Sequence, residues 1–348
     1  MDRFYIVSWN GTSIAGGVER VVKYIEEVLS ERYEVVLVCD ELLKENSFWR
    51  RWLVENRVIK AIGYSLYIAT HKKKGDCVIS NGFQAPFIKV DFLWAHGNML
   101  ENRRCIEKRN YYKATKESVI EGIGARQARN IVCVASHVKK EYEKLYHVSP
   151  SKMRVLSNPV DCTRFYPKAE RTEQPDTITI LYMGRLETGK GIKELLRLSS
   201  YIETLHGYRL MIVTQSERDR TRLFSNRQHT KVYCKVPIEK LNDYYNQADV
   251  FYLPSSYEGF EMVTLESLSA GVPVVGYRVG AINELSAKEQ QGVAVLADQA
   301  VETVLTQLAE MAKKYKSAQA RRKLHEDIRS QYDIRVFKER LKNEIKLL

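Results

Sequence analysis

Between Asp249 and Gly276 the chain spells a strand, a loop, a helix and a second strand. Asp249-Val250-Phe251-Tyr252-Leu253 is an apolar run stopped by Pro254, and Glu258-Gly259-Phe260 is a glycine-bearing loop. A helical run then passes through Leu265, Glu266 and Leu268 to Gly271, and Pro273 leads into Val274-Val275-Gly276. A helical crossover of this length joins parallel strands, and parallel strands are buried on both faces. Any ligand of the unit is expected beyond the carboxyl end of its first strand.

Two carboxylates stand in that unit. Glu258 sits in the loop at the strand tip, and Glu266 lies about one turn inside the helix. A helix start with free N–H groups attracts phosphate, and a carboxylate beside it suits a sugar's paired hydroxyls. The competing reading is an N-terminal capping arrangement with Glu266 on a solvated face.

The same rhythm runs through the whole chain. Phe4 to Trp9 reads as a buried strand, and Asn10-Gly11 opens a loop that ends at Gly16-Gly17 before an amphipathic helix from Val18 to Leu29. Paired glycines there let backbone approach a ligand closely, although a plain tight turn is the alternative. The spacing is not Gly-x-Gly-x-x-Gly, which disfavours a dinucleotide. Further strands are expected at Val35–Cys39, Asp76–Ser80, Phe87–Ala95 and Ile131–Ala135. The second half restarts with strands at Ile178–Met183, Tyr208–Val213, Val232–Cys234 and Val250–Leu253. A chain of 348 residues is long for one core, so the reading is α/β with two parallel-sheet domains. The polar segment 167–177 is the candidate linker between them.

Composition narrows the function classes. Hydrophobic residues make up 44% and charged residues 28%, no apolar run is long enough to span a bilayer, and no leader pattern opens the chain. Cys39, Cys77, Cys105, Cys133, Cys162 and Cys234 are scattered, which suits reduced thiols in a cytoplasmic protein. The net charge is +12, most of it in residues 1–164, and this predicts an anionic partner. No RNA- or DNA-binding motif accompanies the charge, so nucleic acid is not expected.

Two N-terminal segments concentrate that charge. One runs from Phe48-Trp49-Arg50-Arg51-Trp52 through Ile62, Tyr64, Leu66, Tyr67 and Ile68 to Lys72-Lys73-Lys74. It suits either core packing or a helix lying on an anionic membrane surface. The other, residues 101–130, suits a long helix whose Arg103, Arg104, Lys108, Arg109, Lys113, Lys116, Arg126 and Arg129 face an acceptor, lipid headgroups or solvent. Between them His96 follows an apolar strand, where ligand-facing residues sit, with a structural histidine as the alternative.

In the second half, Arg185 and Lys190 flank the glycine-bearing turn Gly184-Arg185-Leu186-Glu187-Thr188-Gly189-Lys190-Gly191. Two cations and backbone N–H donors suit a diphosphate. There is no Walker loop and no Asp-x-Asp pair for a divalent metal, so no metal site and no cofactor are expected. Electrostatic stabilisation of the leaving diphosphate then becomes the main catalytic contribution.

Gly16-Gly17-Val18-Glu19, Gly184-Arg185-Leu186 with Lys190-Gly191, and Glu258-Gly259-Phe260 with Glu266 and Ala270-Gly271-Val272-Pro273 resemble the retaining glycosyltransferases of family 4, group 1. The resemblance implies the GT-B fold, two Rossmann-like domains with a cleft between them. It places an acceptor-binding domain over residues 1–168 and a nucleotide-sugar-binding domain over 169–330, with a last helix near 331–348 packing back on the first. It further implies a nucleotide-diphosphate sugar donor, with UDP expected as the nucleotide, and a glycan or lipid-linked acceptor in bacterial envelope synthesis at the membrane's inner face. A soluble acceptor, or a non-catalytic partner subunit, is the alternative.

By the same resemblance, Arg185 and Lys190 hold the diphosphate and Glu266 holds the ribose hydroxyls. Glu258 and the loop Gly259, Phe260, Glu261, Met262 and Val263 meet the donor, Gly16 and Gly17 close over phosphate, and His96 lies near the sugar. Three positions depart from the family pattern. Glu261 stands where glycine is usual, Asn158-Pro159 replaces Asn-Gly, and Ala281 follows Gly280 where a second glycine is common, with Glu284 at the family's acidic position.

Overall fold

The computed structural model describes residues 3–12, 16–105, 110–169, 176–215 and 221–346. Lys108, Arg109, part of the expected linker and the last two residues lie outside that set. The chain divides into two compact units, Met1–Asn158 with Phe337–Leu348 and Pro159–Val336.

The first unit is built on a six-stranded parallel sheet of order β2-β1-β3-β4-β5-β6. Its strands are β1 Arg3–Val7, β2 Glu34–Val38, β3 Cys77–Asn81, β4 Phe92–Ala95, β5 Asn130–Cys133 and β6 Met153–Val155. Helix α1, Gly17–Leu29, covers it through Val21, Val22, Ile25, Val28 and Leu29, a stripe at helical spacing. The expected run Phe87–Ala95 is a strand only from Phe92, because Asp91 turns its carboxylate onto Val78 N–H, Lys72 and Arg129 at the strand's start.

Three helices follow β2: α2 Asp40–Lys44, α3 Ser47–Arg50 and α4 Arg57–His71. Asn56 starts α4 by accepting from the N–H groups of Val58 and Ile59. The aromatic, basic segment is mixed: Tyr64 and Ile68 are buried and Trp49 packs edge-on against Tyr67, while Phe48, Ile59 and Leu66 are exposed. Residues 101–130 do not form one helix. Helix α5, Met99–Asn102, is followed by α6, Tyr111–Gln127, and the inner face of α6 buries two acids, Glu117 and Glu121. Helix α7, Ser136–Tyr146, supplies two of the hydroxyls that meet Glu121.

The second unit repeats the architecture. Its six-stranded sheet is parallel in the order β12-β11-β10-β7-β8-β9, from β7 Ile178–Met183, β8 Tyr208–Thr214, β9 Thr230–Cys234, β10 Val250–Leu253, β11 Val274–Gly276 and β12 Val293–Val295. The helices are α8 Ile192–Ile202, α9 Leu241–Gln247, α10 Met262–Ser269, α11 Gly280–Ala287, α12 Val301–Lys314 and α13 Ala318–Tyr332. Leu195, Leu198 and Ile202 of α8 lie against Ile180, Ile212 and Tyr252 of the sheet, and Leu305 and Leu308 of α12 join the same core. Each such side chain contributes roughly 1.5–3 kcal/mol when fully buried.

Pro159 opens this unit, and residues 167–169 and 176–177 of the expected linker fall within it. Helix α14, Ile334–Lys346, starts in the second unit, and its residues from Phe337 belong to the first. There Phe337 meets the Trp94 ring at 6.5 Å, while Lys338 pairs with Glu27 at 2.7 Å and Lys342 with Glu31 at 2.9 Å.

Candidate active site

In the second unit β7 and β10 are neighbours, yet the chain leaves them in opposite lateral directions, β7 towards β8 and β10 towards β11. A crevice forms beyond the carboxyl ends of two strands where the winding reverses in this way. The loops that leave those two ends, 184–191 and 254–261, carry Arg185, Lys190, Glu258, Gly259, Phe260 and Glu261.

The loops are tied together by backbone. Ser256 N–H donates to Gly189 O at 3.1 Å, and Gly191 takes φ +83° with no room for a Cβ against Pro254. The Tyr182 hydroxyl, at the end of β7, donates to Arg185 O at 2.7 Å and lies 3.4 Å from Lys190 O, which shapes the first loop from beneath. Its buried aromatic position gave no signal of that role in the sequence.

Across the crevice the Lys190 ammonium reaches both oxygens of Glu258, at 2.6 and 2.7 Å. Lys190 keeps 27% of its side chain exposed and Glu258 only 9%. Arg185 is more open, at 63% side-chain exposure, and pairs with Glu187 at 3.1 Å. So the two expected cations differ: one is gathered against the acid, the other stands at the rim. Ser255, between the loops, is 1% exposed, and its hydroxyl has no hydrogen-bond partner among the described residues. A buried polar atom left unmet is costly, so this is a place where a ligand's polar group would fit.

Glu266 is 1% exposed and accepts from the Tyr245 hydroxyl at 2.9 Å, so it is not on a solvated face. Phe260 and Met262 are buried, with Phe260 packed towards Tyr332, while Gly259 and Val263 keep partial exposure. Glu261 turns back towards α11. One of its oxygens accepts from Ala281 N–H at 2.9 Å and the other from the Thr264 hydroxyl at 2.5 Å. The residue as a whole keeps some surface in solvent, but its carboxyl group is enclosed by protein. That desolvation, and then the charge of Glu258, pushes its pKa well above the ordinary carboxylate range.

In the first unit, Gly16 and Gly17 begin α1, and a Cβ on Gly16 would strike the Glu19 carboxylate, which also accepts from Asn10 at 2.8 Å. His96 follows β4 and shares a 2.9 Å hydrogen bond between its Nε2 and Asn81 Oδ1, while Asn81 Nδ2 donates to Val7 O at 2.9 Å. With the amide so placed, Nε2 is the protonated nitrogen and Nδ1 is left as an acceptor. Desolvation lowers the His96 pKa to about 4, so the ring is neutral near pH 7. Asn81, which fixes that ring, was not visible as functional in the sequence.

Residues 177–314 match the family Glycosyl transferases group 1. A glycogen synthase of Mycobacterium tuberculosis is 26% identical over 180 residues, covering 50% of this chain and 43% of that protein. The putative teichuronic acid biosynthesis glycosyltransferase TuaC of Bacillus subtilis is 29% identical over 221 residues, covering 61% of this chain and 52% of its own length. The chain thus spans about half the length of the curated relatives it matches. Solved structures align end to end: sucrose-phosphate synthase from Thermosynechococcus elongatus has a TM-score of 0.80 at 16% identity and covers 100% of this chain and 99% of that one. HepE from Anabaena, solved with UDP and glucose, has a TM-score of 0.71 at 12% identity and covers 100% of both chains. Residues 177–314 thus carry the match to the group 1 glycosyltransferases, and the chain as a whole has the GT-B fold.

Proposed function

We propose that this chain transfers a sugar from a nucleotide-diphosphate sugar, with UDP as the expected nucleotide, to a glycan or lipid-linked acceptor of the bacterial envelope, with retention of the anomeric configuration. The observation that carries the reading is the Lys190–Glu258 pair at the winding reversal between β7 and β10. The Lys190 ammonium and the exposed Arg185 guanidinium stand on the loop that leaves β7, and two such cations suit a departing diphosphate. Glu266 beside Tyr245 would take the ribose hydroxyls and Glu258 the donor sugar; Gly16, Gly17 and His96 are assigned to donor binding by resemblance alone. No metal is assigned a step. The relative named for teichuronic acid synthesis, and the fold shared with WaaG, described as involved in lipopolysaccharide synthesis, favour an envelope acceptor.

Peripheral contact with an anionic membrane at its inner face is part of the same reading. Among the described residues no helix is long and apolar enough to cross a membrane. The first unit nonetheless exposes Phe48, Ile59, Leu66, Tyr111, Tyr112 and Val119, with Arg51, Arg103 and Lys116 placed over aromatic rings. Cations interleaved with exposed aromatics suit a headgroup layer.

One assay tests the whole reading: release of nucleotide diphosphate with a lipid-linked acceptor carried in anionic vesicles, with EDTA present, and NMR of the product's anomeric proton. Turnover in EDTA, a retained configuration and co-sedimentation with the vesicles are expected. Inversion, loss of turnover on chelation or release that ignores the lipid acceptor would each overturn the corresponding part.

A further inference from the structure

Glu261 occupies a position where the family pattern has glycine, and its side chain has a defined seat. It is held by Ala281 N–H at the start of α11 and by the Thr264 hydroxyl within α10. Gly280 makes the seat possible: it takes φ +48°, and a Cβ there would collide with both the Glu261 carboxylate and Glu258 Cβ. Two acidic side chains therefore meet across one glycine. The ammonium beside them, Lys190, reaches both oxygens of Glu258.

The charge balance of this corner follows. A donor's diphosphate brings further negative charge and competes for Lys190. Burial and the charge of Glu258 keep Glu261 protonated up to about pH 8, and once it has ionised an acidic group on the donor sugar would add another charge, in surroundings where water screens little and like charges repel strongly. A hydroxymethyl group adds none, and its hydroxyl can donate to a carboxylate. We propose that Glu261 is a specificity-determining residue: it restricts the donor to a neutral sugar and turns away the corresponding uronic acid. This rests on the donor-binding reading given above.

The test compares two donors that differ only at one carbon. UDP and GDP are first titrated calorimetrically against the wild-type chain. UDP-glucose is then measured against UDP-glucuronate, or GDP-mannose against GDP-mannuronate, with whichever nucleotide binds, at a pH above the Glu261 value of about 8 so that its carboxylate is ionised. The wild type should bind the neutral sugar at least tenfold more tightly. Glu261→Gly and Glu261→Gln should both cut that ratio several-fold. The glutamine variant keeps the bulk and the Ala281 contact, so it isolates charge, and it decides the matter if the glycine variant fails to fold. A ratio unchanged in Glu261→Gln, or a wild type that prefers the uronic acid, overturns this inference while leaving nucleotide binding intact. If neither nucleotide binds the wild type, the donor reading falls and this inference falls with it.

Discussion

Glu121 in the first unit and Glu261 in the second are both carboxyl groups enclosed by protein, and in both burial is the largest cause of a raised pKa. Their surroundings differ. Glu121 receives three donors, Met99 N–H at 2.8 Å, the Tyr142 hydroxyl at 3.0 Å and the Tyr146 hydroxyl at 2.6 Å. These come from the start of α5 and from α7, so the acid pins two helices to α6. Glu261 has two donors, and the charge next in importance to burial is Glu258, which Lys190 grips. An acid saturated by its own fold has nothing left to offer a ligand. Two neighbouring acids with a cation bonded to Glu258 leave a protonation to be settled when a ligand arrives. The same residue type is a structural tie in one unit and a selectivity element in the other.

The largest effect that separates them should come from Lys190→Ala. It strips the cation from Glu258 and removes the donor from the crevice. Loss of one preorganised donor to developing charge typically costs about 100- to 1000-fold in kcat. Steady-state kinetics with saturating donor should show at least the lower figure. A loss below tenfold would mean that the diphosphate leaves without help from this loop. No change in the first unit touches this pair, so Glu121→Gln should leave nucleotide binding as it was.

Glu121→Gln is instead expected to change how stability depends on pH. Burial pushes the Glu121 pKa up from 4.5 to about 7 against the opposing pull of its three donors. An acid whose pKa rises on folding holds, between those values, a proton that the unfolded chain releases. Its contribution is intact below about 4.5 and is lost as pH climbs to about 7. At one pKa unit per ~1.4 kcal/mol the loss is on the order of 3 kcal/mol. The glutamine variant should lack this slope, gaining on the wild type between pH 5 and pH 8. Parallel urea titrations at the two pH values read it directly; parallel slopes for both proteins would show that Glu121 titrates normally.

The second unit was more legible in the sequence than the first, for a physical reason. Loops at parallel-strand ends need glycine where backbone must approach closely, and Gly191 against Pro254 is such a case. Charges beside those glycines, Arg185, Lys190 and Glu258, then stand out against an apolar background. Even the winding reversal between β7 and β10 falls where the two motifs lie. Glu121 carried no such mark. It sits in a run of charges on α6 that reads as a solvated face, and its burial is decided by tyrosines on α7 twenty or more residues away. The stripe at residues 48–74 stayed ambiguous for a related reason, since helical spacing of Trp, Tyr and Ile fits a core as well as a membrane surface, and it holds both buried Tyr64 and Ile68 and exposed Phe48, Ile59 and Leu66. Tyr182, Tyr245 and Asn81 act by supporting other residues, which spacing alone does not reveal.

The smallest effect should come from Tyr146→Phe. It removes the 2.6 Å donor from Glu121 and leaves those of Met99 and Tyr142. A hydrogen bond to a charged group is worth about 1.5–3 kcal/mol, and part is recovered when the acid takes up a proton. Losing a donor to the ionised form raises the Glu121 pKa further, so the pH window over which stability falls should extend upward. The variant should thus trail the wild type more at pH 8 than at pH 5, by about 1 kcal/mol or a few degrees in Tm. Thr264→Val makes the matching cut at Glu261. There, besides any stability change, the ratio of neutral to acidic donor binding should fall, because a Glu261 that holds its proton more tightly repels a uronic acid less. Equal responses from both variants, each confined to stability, would erase the distinction between the two acids.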